Sequence, residues 1–319
     1  MDERDRRGQL LLVAALGLAV AFVVLALVLN AVVFTENLAT RNHGQTDSVV
    51  AYERAAEADV GGLLAQTNRH NNSDYDALAA TLTANVETWD ANASVLAAGS
   101  GQVTQTTVAS VANGTRVVQS ARRTFSNATG ADDWTAATGV DATRRFHVVA
   151  EPTTADALTL NVSNGTTAWR VRVVENTSNP GFTDVDVRNE SGAVLAATTV
   201  ESNAAALDLT EGSVNGSAVD GWQFAEGVGS GYDVRVENGG AAEGRYVFVV
   251  DRERPDLLAA LPSDTYHDPG TGDEPTTTPA LYQATVNVTV QDSRVTYETS
   301  VAVSPESAPV PIVRVDDAT

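Results

Sequence analysis

The chain changes its hydrophobic period more than once. From Leu10 to Leu29 every residue is apolar (LLLVAALGLAVAFVVLALVL), Asn30 follows, and Ala31 to Phe34 resume the run. A helix over 10–34 would be about 37 Å long at 1.5 Å per residue, enough to cross a bilayer core of about 30 Å. The pattern therefore predicts a transmembrane helix, with residues 1–9 as a short tail before it. Residues 35–128 read as helical. In VVAYERAAEADVGGLLAQ the apolar positions Val49, Val50, Tyr52, Ala56, Val60, Leu63 and Leu64 recur close to every 3.6 residues. Polar residues at 71–74 mark a break, with Ser73 or Asp74 placed to cap a second helix, DYDALAATLTANVETWDANASVL. A third helical stretch is expected from Val103 to Phe125, with Val108, Val111, Val117 and Val118 on one face, although its Thr and Val content disfavours helix.

A Gly/Asp/Thr-rich connector, 129–143, contains Trp134, and beyond it the period shortens to two. RRFHVVAE, ALTLNVSN, AWRVRVVEN, FTDVDVRN and AVLAATTV read as strands. Asn164-Gly165 is a hairpin signal. YDVRVEN and GRYVFVVDR flank a Gly-rich turn and suggest a second hairpin, and LYQATVNVTV with VTYETSVAVS a third. The Pro/Gly/Thr-rich stretch 265–279 reads as a loop. The expected fold class is α+β: an N-terminal transmembrane helix, a helical neck, and a C-terminal antiparallel β-rich, sandwich-like domain over 144–319.

The charge balance adds a constraint that the pattern does not. Among 319 residues there are 41 acidic and 20 basic side chains, a net charge of -21, and every basic residue is Arg because the chain has no Lys. Molar salt shrinks the Debye length to about 3 Å, so such an acidic surface does not repel itself there. Acidity together with absent Lys points to a salt-adapted protein. No nucleic-acid partner is expected, because phosphates need a basic surface. Cys is absent, which removes disulfides and thiolate chemistry.

Candidate chemistry is thin. His43, His70, His147 and His267 form no metal-binding spacing. His147 falls in a strand and reads as an ordinary satisfied histidine. No nucleophile-elbow motif is present, and Gly227-Val-Gly-Ser-Gly231 resembles a phosphate loop in glycine density alone. Asp132-Asp133 and Asp184/Asp186 read as solvated faces. Asp264, His267, Asp268, Asp273 and Glu274 gather oxygen ligands in one loop without a calcium-loop spacing. No catalytic, cofactor-binding or metal-ligating residue is assigned, no cofactor is expected, and the chain reads as a non-enzyme. Ten of the nineteen Asn residues open an Asn-x-Ser/Thr triplet: Asn71, Asn92, Asn113, Asn127, Asn161, Asn164, Asn176, Asn189, Asn215 and Asn287. They are candidate glycosylation sites, and the same triplets are also good turn formers.

The tail ends in Arg6-Arg7, and the first charge beyond the apolar run is Glu36. The positive-inside rule then puts the N-terminus in the cytoplasm and the remaining chain outside, as a single-pass cell-membrane protein with the lipid bilayer as one partner. Arg7-Gly8-Gln9-Leu10, followed at once by the apolar helix, resembles the class III signal peptide of archaeal type IV pilin-like proteins. The whole opening resembles that of an uncharacterised haloarchaeal membrane protein family. The resemblance implies cleavage between Gly8 and Gln9 by a prepilin-type peptidase, and packing of the N-terminal helix against other pilin-like or envelope proteins. Two functions follow as expectations: a minor pilin-like or pilus-associated structural protein of the cell envelope, or a membrane-tethered extracellular binding module with no filament role.

Overall fold

A computed structural model describes residues 48–70, 74–293 and 295–305. The chain divides into two units, 1–55 and 56–319. Of the first only residues 48–55 are described, and they are helical. The second unit is an antiparallel β sandwich with a helical layer on one outer face.

Residues 48–70 form helix α1, and α2 spans Tyr75–Ala98. Fourteen strands follow. They are β1 (Val103–Thr124), β2 (Trp134–Val140), β3 (Thr143–Pro152), β4 (Leu158–Ser163), β5 (Ala168–Glu175), β6 (Thr183–Asn189) and β7 (Val194–Val200). Then come β8 (Ala205–Asp208), β9 (Ser213–Val214), β10 (Ser217–Ala218), β11 (Tyr232–Glu237), β12 (Ala242–Val250), β13 (Thr276–Gln291) and β14 (Thr296–Val303). A short helix α3 (Arg254–Ala259) precedes β13. One sheet has eight strands in the order β10-β9-β8-β3-β12-β1-β13-β14, and the other has six, β2-β11-β4-β5-β6-β7.

The inner faces of both sheets share one core. Phe146 and Phe248 of the larger sheet and Trp169 of the smaller sheet belong to it, with Trp222 and Phe224 from the loop before β11. The rings of Trp169 and Phe224 lie edge to face at 5.2 Å, and Phe146 meets Phe248 at 4.6 Å. Such aromatic pairs add about 0.5–1.5 kcal/mol each beyond simple burial.

On the outer face of the eight-stranded sheet, α2 lies against β1 and β13. Its N-terminus is set by Asp74, whose carboxylate accepts from the Ala77 N–H at 2.8 Å. Leu78, Leu82 and Val86, spaced by four, are its buried residues. At roughly 1.5–3 kcal/mol each, those three side chains hold the helix down. Tyr75 Oη donates to the Gly114 carbonyl at 3.0 Å and accepts from the Arg254 N–H at 2.7 Å. Burial raises the pKa of its phenol.

Several expectations are corrected. The stretch expected as a third helix is strand β1, 22 residues long. Its β-branched Thr and Val favour the pleated conformation, and pairing with β12 and β13 supplies the partner that a helical period ignores. The connector 129–143 contains β2, so the β region begins at Val103, well before residue 144. YDVRVEN and GRYVFVVDR form no hairpin, because β11 and β12 lie in different sheets. The chain crosses at a 3-10 turn, Gly239–Ala241, after Asn238 in the left-handed region. A Cβ on Gly239 would stand 2.2 Å from the Phe125 carbonyl oxygen, so only glycine fits. The Asn164-Gly165 turn does join β4 to β5, and β13 pairs with β14.

The transmembrane part of the expected fold is also withdrawn. Among the described residues no helix is long and apolar enough to cross a membrane. The longest, α2, carries Asp76, Glu87 and Asp90 along its length. The helix expected over 10–34 and the cleavage point Gly8/Gln9 lie outside the described residues. The fold class that stands is α+β with a β-rich domain. The single-pass topology, the cytoplasmic N-terminus and the membrane location built on that helix are not carried further.

Candidate functional site

A cleft of ≈ 230 Å³ opens where the C-terminal end of α1 meets the outer face of the eight-stranded sheet. Helix α1 contributes Ala65, Asn68 and Arg69, β1 contributes Arg116, β3 contributes Arg145 and His147, and β12 contributes Val247 and Val249. Pro305, just beyond β14, completes the wall. Strands β3, β12 and β1 are neighbours, with Arg116 paired to Val249 and Val247 paired to His147. Three guanidiniums and an imidazole thus surround a floor of two valines.

The position of Arg145 depends on a β bulge. Between His147↔Val247 and Arg144↔Val249, two residues of β3 oppose one of β12. Arg145 takes φ 50° there, in the left-handed region. A non-glycine residue held so costs about 1 kcal/mol or more and needs support from its surroundings. The extra residue breaks the alternation of β3, so consecutive arginines share the outer face while Phe146 stays in the core at 2% exposure. Arg144 lies over the Tyr282 ring at 4.4 Å and donates to Gln283 at 3.2 Å. Arg145 Nη1 donates to the Pro305 carbonyl at 2.8 Å and turns its remaining length to the cleft.

Asn68 fixes the helical wall. Its Nδ2 donates to the Leu281 carbonyl and its Oδ1 accepts from the Leu281 N–H, both at 2.8 Å. The two bonds meet β13 beside a bulge, where the partner of β1 jumps from Gln283 to Leu281. With both ends used, Asn68 is a positioning residue that fixes the helix where Arg69 follows it.

The electrostatics are lopsided. Among the described residues neither Arg69 nor Arg116 has a hydrogen-bond or ion-pair partner on its side chain. Burial lowers the pKa of Arg116, Arg69 lowers it further, and Glu274 acts the other way. His147 Nδ1 lies 3.3 Å from Asp208 Oδ2. Asp208 is held by Thr210 Oγ1 at 2.8 Å and the Glu211 N–H at 3.0 Å. Burial pushes the pKa of His147 below the usual histidine value, Asp208 opposes that shift, and Arg145 adds to it. A neutral imidazole with its proton on Nδ1 donates to Asp208 and keeps Nε2 as an acceptor.

The other candidates from the sequence take structural roles. His70 is exposed, and His43 lies outside the described residues. The His267 N–H donates to the Pro275 carbonyl at 3.0 Å. Among the described residues no group of three His, Asp or Glu is placed to hold a metal ion. Glu274 instead accepts from the N–H groups of Ser120 and Ala121, both at 2.7 Å, and from Ser120 Oγ, pinning its loop to β1. In the Gly227–Gly231 loop the Gly231 N–H donates to Asp141 at 2.9 Å and the Val228 carbonyl accepts from Asn164. Asp132 and Asp133 are exposed, as expected, and also hold a turn. The carbonyl of Asp132 accepts from the Gly239 N–H and the carboxylate of Asp133 from the Asn238 N–H, which anchors the crossover turn. Asp186 pairs with Arg172 and Arg188, and Asp184 accepts from Asn176 and Thr199.

The sequons sort by what their side chains already do. Asn71 lies outside the described residues. Asn161 is 5% exposed and donates to Glu237. Asn113 donates to Glu253, Asn92 to the Thr88 carbonyl, Asn164 to the Val228 carbonyl, and Asn176 to Asp184. Asn127 and Asn189 fold their own turns by accepting from backbone N–H groups two to four residues on. Asn215 stands at φ 49° and accepts from the Ala206 N–H, and Asn287 is an exposed strand residue accepting from Ser300. Turn chemistry accounts for the triplets at Asn127, Asn164, Asn176 and Asn189.

Sequence reasoning missed Arg69, Arg116 and Arg145. One signal was present: two adjacent arginines in RRFHVVAE interrupt a period-two strand, which is how a bulge reads in sequence. Comparison of the chain with protein-family models, with curated proteins and with solved structures returned no match. The resemblance of the N-terminus to pilin-like proteins is therefore withdrawn.

Proposed function

We propose that this protein is a non-enzymatic binding module of a salt-adapted cell, and that the cleft between α1, β1, β3 and β12 is its binding site. One observation carries the reading. A chain of net charge -21 with 20 arginines collects three of them, with His147, around a single cleft. Asp186, by contrast, is paired locally with Arg172 and Arg188. In the cleft, Arg69 and Arg116 have no side-chain partner among the described residues and stand beside an apolar floor. Concave sites with an apolar lining and a few convergent polar groups are the usual form of a small-molecule site. The lining supplies donors and a positive field and no hydroxyl or carboxylate, which favours holding a ligand over transforming it.

The test is a thermal-shift screen in molar KCl against neutral saccharides, amino acids, and phosphorylated and sulfated small molecules, on wild type and on Val247→Trp. A ligand that raises the Tm of wild type and leaves Val247→Trp unmoved supports the reading. A panel in which nothing moves wild type, or in which every shift survives Val247→Trp, ends it.

A second reading rests on the pair His147–Asp208. A neutral imidazole oriented by a carboxylate is the arrangement of a general base, and here it borders an anion-attracting cleft. Ester hydrolysis by wild type that disappears in His147→Gln would favour it over simple binding. Absence of turnover on aryl phosphates and aryl sulfates would count against it.

A further inference from the structure

Building on the binding-module reading, we infer that the ligand is a small organic phosphate or sulfate ester, its oxyanion held by Arg69, Arg116 and Arg145. Four observations lead there. First, the three guanidiniums come from three elements, α1, β1 and β3, and converge on one space. Like charges gather in this way at a cost, and a polyvalent anion between them removes it. Second, Arg69 and Arg116 have no side-chain partner among the described residues. Guanidinium is a planar fork that satisfies two oxygens of phosphate, sulfate or carboxylate at once. Third, Arg145 reaches the cleft through a strained bulge with φ 50°. Strain of this kind persists where the surroundings over-determine it, and it concentrates at ligand clamps.

The fourth observation is size. A cleft of ≈ 230 Å³ exceeds what one tetrahedral anion needs, since a water takes about 30 Å³ of liquid volume. Val247, Val249 and Ala65 supply apolar surface for the remainder, so an ester fits better than the bare ion. The salt environment sharpens this. At a Debye length near 3 Å, long-range attraction is lost and chloride competes at molar concentration. An anion selected there must rely on direct bidentate hydrogen bonds in a partly desolvated site, which a spherical halide cannot form. His147 lines the same cleft, so protonation of His147 strengthens binding. The charged groups around it are Asp208 on β8, Arg145 on β3, Arg116 on β1 and Arg69 on α1.

The experiment is isothermal titration of the full chain in molar KCl. The probes are glycerol 3-phosphate and glucose 6-sulfate, with glycerol and glucose as neutral partners. Wild type is compared with Arg116→Gln, Arg69→Gln and Arg235→Gln. Arg235 is an exposed residue of the other sheet and serves as the control. The expected result is saturable binding of one or both esters and none of the neutral compounds. Arg116→Gln and Arg69→Gln each weaken binding at least tenfold, and Arg235→Gln leaves it unchanged. Which ester binds decides between phosphate and sulfate chemistry. Because Arg69 is exposed on a helix surface, its substitution keeps the test valid even if Arg116→Gln fails to fold. Absence of ester binding, or binding indifferent to both arginines, overturns the inference. A neutral ligand lost in Val247→Trp alongside that result would overturn the anion class and leave the binding module standing.

Discussion

The two sheets share one core, yet their outer faces solve different problems. The six-stranded sheet meets solvent directly. Arg172 and Asp186 stand opposite each other across β5 and β6, and Arg188 closes on the same carboxylate. On the same face Asp184 accepts from Asn176 and Thr199, while Arg235 stands exposed. The eight-stranded sheet is instead roofed by helices, and at the edge of that roof lie Arg69 and Arg116, without side-chain partners among the described residues. In an acidic protein at high salt a paired charge needs no special explanation. Three guanidiniums that share one cleft with Val247 and Val249 do, and that convergence separates the cleft from the remaining surface.

Substitutions in the shared core, the helical roof and the bare sheet test this difference. Trp169→Ala removes the largest fully buried side chain, between Trp222 and Phe224. It should cost about 4 kcal/mol, because both sheets lean on it. Chemical denaturation in molar KCl measures this, and a loss below 1 kcal/mol would mean that the sheets do not share a core. Leu82→Ala tests the roof. If α2 is integral to the fold, its loss costs about 3 kcal/mol in the same cooperative transition. A separate early transition would show that the helices melt independently of the sandwich.

Asn68→Ala leaves the N–H and carbonyl of Leu281 without the partners they have now. The expected cost is about 2 kcal/mol, together with weaker ligand binding because Arg69 loses its anchor. Unchanged stability would remove Asn68 as the fixing point of the cleft. The pH dependence of His147 comes next. Its folded pKa lies below the unfolded value of about 6.5, so the unfolded chain takes up the proton first. Stability from this group is present above the unfolded pKa and is lost as pH falls through that value toward the folded one. Tm should therefore rise between pH 5.5 and about 7 more steeply in wild type than in His147→Gln. Equal slopes would dispose of the depressed pKa. The smallest effect belongs to the bare sheet, where Arg235→Gln should change stability by no more than about 0.5 kcal/mol.

Much of the fold was legible from pattern. The strands from β4 to β7 and the β13–β14 hairpin show the period and turn residues of their conformation, and Asp74 caps α2 where a capping side chain was expected. Strand β1 was not legible. Val108, Val111, Val117 and Val118 fit a helical face, and only the neighbours β12 and β13, more than a hundred residues away in sequence, make a 22-residue strand of it. The cleft was hidden for the same reason. Arg69, Arg116 and Arg145 are scattered along the chain, and nothing local marks them apart from the doubled arginine in β3.

The sequence alone determined the balance of the surface, the absence of thiol chemistry, and a β-rich body with alternating faces. These follow from composition and from periods of two and 3.6, which are local properties. The tertiary structure decided which sheet each strand joins, that Asn238-Gly239 turns the chain from one sheet to the other, and that three distant arginines meet. Those outcomes depend on long-range pairing and on which carbonyl or carboxylate stands within reach of each side chain, and no window of sequence contains that information.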